Sequence, residues 1–137
     1  MKNILPVLVM IISGTIITSC ITTESSQERA LGKNLFKVHC VPCHGQDARG
    51  QDPLNPNGGS TAQGKRLAPA LNGTAHSWHH PPTLLLHYIQ EGSIDKSSPM
   101  PSFGDTLSKK ESLAIITYIQ SLWPEEIRRK YRERFAK

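Results

Sequence analysis

The stretch that decides the reading is HCVPCHG, His39 to Gly45. Its two cysteines stand at i and i+3, so on one helical turn both thiols project to the same side. Such a pair suits three chemistries: a disulfide, half of a zinc site, or two thioether bonds to the vinyl groups of a haem. The next residue separates them. His44, directly after Cys43, lies where an imidazole reaches the iron of a porphyrin held by both sulfurs, which is the C-x-x-C-H pattern of haem c attachment. A zinc site wants four ligands with a second pair at matching spacing, and the chain has no second cysteine pair. A redox dithiol belongs beside a strand-helix-strand pattern, which the sequence does not offer. A structural disulfide followed by an incidental histidine is the plain alternative.

The chain has 137 residues and three cysteines, so Cys20 also needs a role. It closes MKNILPVLVMIISGTIITSC, in which one lysine is followed by an apolar run and then by small residues, the layout of an export signal. Ile17-Thr18-Ser19-Cys20 is similar to the bacterial lipobox, with Ile17 in place of the usual Leu. On that reading residues 1–19 are a cleaved signal peptide and Cys20 carries a lipid. Ile21, where an Asp would signal inner-membrane retention, resembles the outer-membrane pattern of Gram-negative lipoproteins. The competing reading is an uncleaved anchor, because residues 3–23 carry no charge and a spanning helix needs about 20 largely apolar residues. Both readings tether the protein outside the cytoplasm, at the cell envelope.

The net charge of +5 is unevenly placed. Residues 20–123 hold nine bases and eight acids, whereas residues 124–137 hold six and three. The folded part is nearly neutral, which argues against a nucleic-acid-binding surface on it.

After the anchor, residues 20–28 read as a short polar linker. Ser25 and Glu28 then stand in capping-box relation, with Leu31, Leu35 and Val38 at helical spacing and Gly32 and Phe36 on a neighbouring stripe. From Gly45 to Arg66 the pattern dissolves into a segment with five glycines and two prolines, a long loop that needs a reason in a compact domain. A second helix is predicted across PPTLLLHYIQEG, Pro81 to Gly92. A third opens on the capping box Ser108/Glu111, carries Leu113, Ile115, Ile116, Tyr118, Ile119 and Leu122, and stops before Pro124. No stretch alternates with a period of two, so the fold class is all-α, about three core helices and long loops over residues 29–123. That is 95 residues with much loop, and a core of that size is marginal. A haem would supply the missing apolar burial.

Iron held by His44 needs a ligand on its other face or the site stays open. Met1 and Met10 lie in the signal, which leaves Met100, between Pro99 and Pro101 in SSPMPSF. Two fixed φ angles would hold a short loop rigid and present the thioether at a set distance. A thioether ligand favours ferrous iron and closes the site to oxygen chemistry. Filling a gap in the core is what a methionine does otherwise.

GKNLFKVHCVPCHG, APALNG and MPSFGDTLSKKESLAIITYIQSLW together resemble a mono-haem class I cytochrome c of a lipoprotein-type, membrane-anchored kind, over Gly32 to Trp123. The resemblance implies one covalent haem c on Cys40 and Cys43, with His44 and Met100 as axial ligands. It further implies that Gly32 and Phe36 cross the last core helix at Tyr118, that the Pro69 carbonyl accepts a hydrogen bond from the other nitrogen of His44, and that Leu71 presses on the haem.

One stretch departs from the pattern. GTAHSWHHPP gathers His76, His79, His80 and Trp78. Three histidines could bind copper or zinc, or one could displace Met100, but hydrogen bonding to backbone or propionates, with Trp78 covering a haem edge, needs no metal and is the reading adopted. His39 and His87 read as ordinary helix residues. Residues 124–137 form a basic amphipathic helix with acids first, bases later, and Ile127, Tyr131 and Phe135 on one stripe. It caps the domain or docks to an acidic partner or anionic lipid.

The function these residues imply is an extracytoplasmic, membrane-tethered carrier of single electrons between redox partner proteins, not an enzyme. A peroxidase-like enzyme or a gas-binding sensor would need an open or histidine-ligated distal site instead. The near-neutral domain offers no electrostatic clue to donor or acceptor.

Overall fold

A computed structural model describes residues 17–95 and 98–135. The export segment before Ile17 lies outside the described residues, and of the lipobox, Cys20 included, only the helical backbone is described. Five helices are present among the described residues: α1 (Ile17–His39), α2 (Val41–His44), α3 (Pro82–Glu91), α4 (Lys109–Ser121) and α5 (Glu125–Phe135). Short 3-10 turns cover Gln46–Ala48 and Ser77–His79. Among the described residues, pairing of the strand type is confined to an isolated antiparallel bridge between Ser60 and Arg66, so the all-α class holds. Among the described residues, no helix is long and apolar enough to cross a membrane.

The helices form where the sequence places start and stop signals. Ser108 caps α4: its hydroxyl accepts from the Glu111 amide at 3.3 Å, and the Glu111 carboxylate accepts from the Ser108 amide at 2.9 Å. This satisfies two of the amides that a helix start leaves without partners. Proline opens α3 and Gly92 closes it.

α1 differs from expectation. It runs unbroken through the polar stretch, so Ser25 and Glu28 lie inside the helix rather than at its start. No proline or glycine stands between Ile17 and Leu31, and a capping box starts a helix only where the preceding chain leaves helical geometry. Its buried face is the stripe that the resemblance implies. Gly32 and Phe36 face the core, while Leu31 is 39% and Val38 67% exposed.

The cause is the close crossing of α1 with α4. A Cβ on Gly32 would lie 1.8 Å from the Ala114 carbonyl oxygen, so the two backbones touch and the stripe containing Gly32 turns inward. One turn on, Phe36 packs on Tyr118 with ring centroids 5.4 Å apart and planes inclined at 58°, a geometry aromatic pairs favour. Ala114, Ile115, Ile116 and Ile119 complete the buried face of α4. Between α3 and α4, the Gln90 amide donates to the Leu107 carbonyl at 3.0 Å and to the Ser112 hydroxyl at 2.7 Å, satisfying polar groups at the core edge.

Gly32→Ala is expected to destabilise the domain by about 3 kcal/mol, the upper part of the range for overpacking, because the obstacle is backbone and cannot rotate away. Thermal unfolding of the haem-loaded protein checks this, and a melting temperature within a degree or so of wild type would show that α1 and α4 can separate at no cost.

Candidate functional site

The site is built where the end of α1 breaks into α2. Cys40 is the turn between them, its amide donating to the Phe36 carbonyl at 2.9 Å, so the cysteine turn is registered on the core through Phe36. Cys40 is half-buried against the hydrophobic core and Cys43 is exposed. The two sulfurs are not bonded to each other. Burial, and then the neighbouring Cys43, push the Cys40 thiol up to about 12.

His44 ends α2 and is 8% exposed. Its Nδ1 lies 2.8 Å from the Pro69 carbonyl oxygen. A carbonyl only accepts, so Nδ1 carries the proton and donates, and Nε2 keeps its lone pair. Burial lowers the pKa of His44, with the Pro69 bond acting the other way, so the ring is a neutral imidazole ready to ligate.

The Pro69 carbonyl is aimed by the long loop, and this is the loop's purpose. The Gly50 amide donates to the His44 carbonyl at 2.7 Å, Gln51 to Ala68 at 3.0 Å, Leu71 to Ala48 at 2.8 Å and Ala70 to Pro56 at 2.8 Å. These bonds fold residues 45–56 back on residues 67–71 and fix Pro69 against the histidine. Gly50 has φ +88°, and a Cβ there would lie 2.8 Å from the Ala70 amide nitrogen, so the crossing is closed to any other residue. The sequence reading missed Gly50. The signal was available as a lone glycine five residues after the CHG turn, but nothing local marked its partner.

Met100 is half-buried and belongs to the same apolar cluster as Cys40, Val41, Leu71, Trp78, Leu85 and Leu86. Its backbone is tied to the end of α3: the Ser93 amide donates to the Met100 carbonyl at 3.1 Å, Phe103 to Ile89 at 2.9 Å and Gly104 to Gln90 at 2.9 Å. The Ser102 hydroxyl donates to the Gln90 carbonyl as well.

These residues fit a haem. Two thiols one turn apart suit thioether bonds, His44 offers a fixed lone pair, and half-buried Leu71, Trp78, Leu85, Leu86 and Met100 give an apolar lining of the kind a porphyrin face takes. Cys40 and Cys43 would hold the group, and His44 and Met100 would meet its iron.

The histidine cluster is local. The His76 and His80 rings meet edge-on at 5.5 Å, His79 stands edge-on to Trp78 at 3.9 Å, and His80 lies 6.1 Å from Tyr88. Among the described residues no group of three or more His, Cys, Asp or Glu is placed to hold a metal ion. Burial first, and then His76 and His79, lower the pKa of His80. The unfolded chain therefore binds a proton at His80 near the ordinary value of ~6.5 while the folded chain does not, so this contribution to stability is present above that pH and is lost as pH falls below it. His80→Gln is expected to flatten the loss of stability between about pH 7.5 and 5.5, read as urea midpoints. An unchanged slope would mean that His80 is already solvated as in the unfolded chain.

At the C-terminal end, Trp123 is 2% exposed and its indole N–H donates to the Leu71 carbonyl at 2.7 Å. Trp123, Tyr131 and Phe135 stack edge-on in series, with centroids 4.9 and 4.8 Å apart. The apolar stripe of α5 is thus turned inward. Its outer charges pair with one another, Glu125 with Arg128 and Arg132, Glu126 with Lys130, and Arg129 with Glu133. Among the described residues, Ile127, Tyr131 and Phe135 of that stripe all pack on the core.

The family described as cytochrome c oxidase, cbb3-type, subunit III matches residues 27–119, and the chain belongs to that family. Comparison with curated proteins and with solved structures gives no match. The family makes the chain a haem-based electron carrier, with covalently bound haem c and redox partners, rather than an enzyme.

Proposed function

We propose that this member of the family is a membrane-tethered carrier working on the extracytoplasmic side, with haem c attached through Cys40 and Cys43 and its iron held between His44 and Met100. The observation that carries the reading is the Nδ1–H of His44 donating to the Pro69 carbonyl at 2.8 Å, directly after the two-thiol turn. It fixes the tautomer, aims Nε2 and makes the imidazole a better donor. When bound, the haem supplies a single-electron couple. The chain's part is to saturate both iron faces and keep them dry, so that no ligand enters and little rearranges between oxidation states.

Cys20 is the proposed lipid attachment, with the outer membrane as destination where the envelope has one. The family's description is that of an oxidase subunit, so a membrane-bound oxidase is the first acceptor to test.

The experiment is a pair of absorption spectra, oxidised and reduced, of the protein matured with its signal in a host that attaches haem c. Haem that resists acid-acetone extraction, with the weak near-infrared band of iron-methionine ligation in the ferric form, is the expected result. Covalent haem without that band would remove Met100 from the iron, and extractable haem would remove the cysteines from the attachment.

A further inference from the structure

Trp123 and α5 lie beyond the residues the family matches, yet they touch the segment that holds His44. The bond from the Trp123 indole to the Leu71 carbonyl spans 52 residues of sequence. The Leu71 amide is bonded in turn to Ala48, in the turn that follows His44, at 2.8 Å. Two residues before Leu71, the Pro69 carbonyl receives the His44 Nδ1–H at 2.8 Å. The same segment is pressed from the C-terminal side further along, since a Cβ on Gly73 would lie 2.9 Å from Pro124 Cδ and 3.3 Å from Ile127 Cδ1. Tyr131 braces the indole edge-on at 4.9 Å. A buried tryptophan N–H needs a partner, and here its partner is the backbone of the histidine's own support.

We propose that Trp123 is a positioning residue for the haem: by holding the Leu71 carbonyl it keeps Pro69 seated on His44 and thereby sets how strongly the imidazole donates to iron. This rests on His44 being the iron ligand. A stronger Nδ1–H bond makes the imidazole a better donor and favours ferric iron, so loosening the segment favours ferrous iron and raises the potential.

The test uses the full-length, haem-loaded chain in four forms: wild type, Trp123→Phe, a form in which the Trp123 indole N–H is replaced by the sulfur of 3-benzothienylalanine, and Phe135→Ala. The sulfur isostere keeps the ring's packing and removes only the donor, so it reports even where Trp123→Phe folds poorly. Both donor-less forms are expected to show about a threefold higher ferrous-to-ferric ratio at a fixed electrode potential, ~28 mV for a one-electron couple, and faster exchange of the His44 Nδ1 proton in the ferrous NMR spectrum. Phe135→Ala, which loosens the end of α5 through its contact with Tyr131 and does not touch the segment from Pro69 to Gly73, is expected to melt earlier at an unchanged potential. Donor-less forms that lose stability while keeping wild-type potential and proton exchange would overturn the proposal, as would an equal rise of potential in Phe135→Ala. Wild type without covalent haem, or without a protected Nδ1 proton, would remove the His44 reading itself and this proposal with it.

Discussion

The double variant Cys40→Ala, Cys43→Ala is expected to carry no acid-resistant haem and to lose at least about tenfold in folded yield, the equivalent of ~1.4 kcal/mol. The reason is the distribution of burial. Phe36, Ile115 and Ile116 are close to fully buried, but Leu71, Trp78, Leu85, Leu86 and Met100 only lean on the core's edge. The long segment between Gly45 and Arg66 adds little apolar surface, and a domain of this size has little stability to lose. Circular dichroism and acid-acetone extraction of the exported protein check both halves of the prediction. A double variant with full helicity and a cooperative melt at the wild-type temperature would show that the chain does not depend on the haem for its core. The single variants should differ, since Cys40 is half-buried in the apolar cluster and Cys43 is exposed. Cys40→Ser, which places a hydroxyl among apolar side chains, is expected to be the more damaging.

Much of this was legible in the sequence, and the reasons differ by element. α4 could be read because everything that defines it is local: the Ser108/Glu111 box, an apolar face at helical spacing and a proline after its end. α3 was bracketed in the same way by proline and glycine. α1 was misread at its start because a capping box states a preference that the preceding residues can override, and nothing in residues 17–24 stops a helix. Periodicity by itself marks Leu31, Leu35 and Val38 as the apolar stripe of α1, whereas the family resemblance marks Gly32 and Phe36, and the second stripe is the one that packs against Tyr118 and Ala114. Packing is decided instead by which residue lets two backbones touch, and that information sits on the partner helix at Ala114.

The site divides along the same line. The thiols and the histidine are adjacent in sequence, and Pro69 was reachable through resemblance to a family pattern. Gly50 and Trp123 were not, because their partners are Ala70 and Leu71, contacts that no periodicity reports. Trp123 left a faint trace all the same. A large side chain with a single donor, set between an apolar helix end and a proline, needs a buried acceptor wherever it packs.

Met100→Ala is expected to lower the midpoint potential by roughly 0.2 V, about a quarter of the range that axial ligands span, while the haem stays covalently attached. The variant isolates the sulfur because the loop does not depend on the side chain for its shape. Pro99 and Pro101 fix φ on either side, and the bonds from Ser93, Phe103 and Gly104 anchor the backbone to the end of α3. With the thioether gone, the ferric form loses the soft donor that disfavours it. The near-infrared band should vanish, and added imidazole or carbon monoxide should bind where wild type excludes both. Spectroelectrochemical titration reads the first effect and ligand titration the second. An unchanged potential together with a retained band would take Met100 off the iron and leave it as core filler. A lowered potential with no uptake of added ligand would instead place another side chain on the iron. His76, His79 and His80 would then be the residues to replace in turn, since Trp78, set between them, is in the same apolar cluster as Met100.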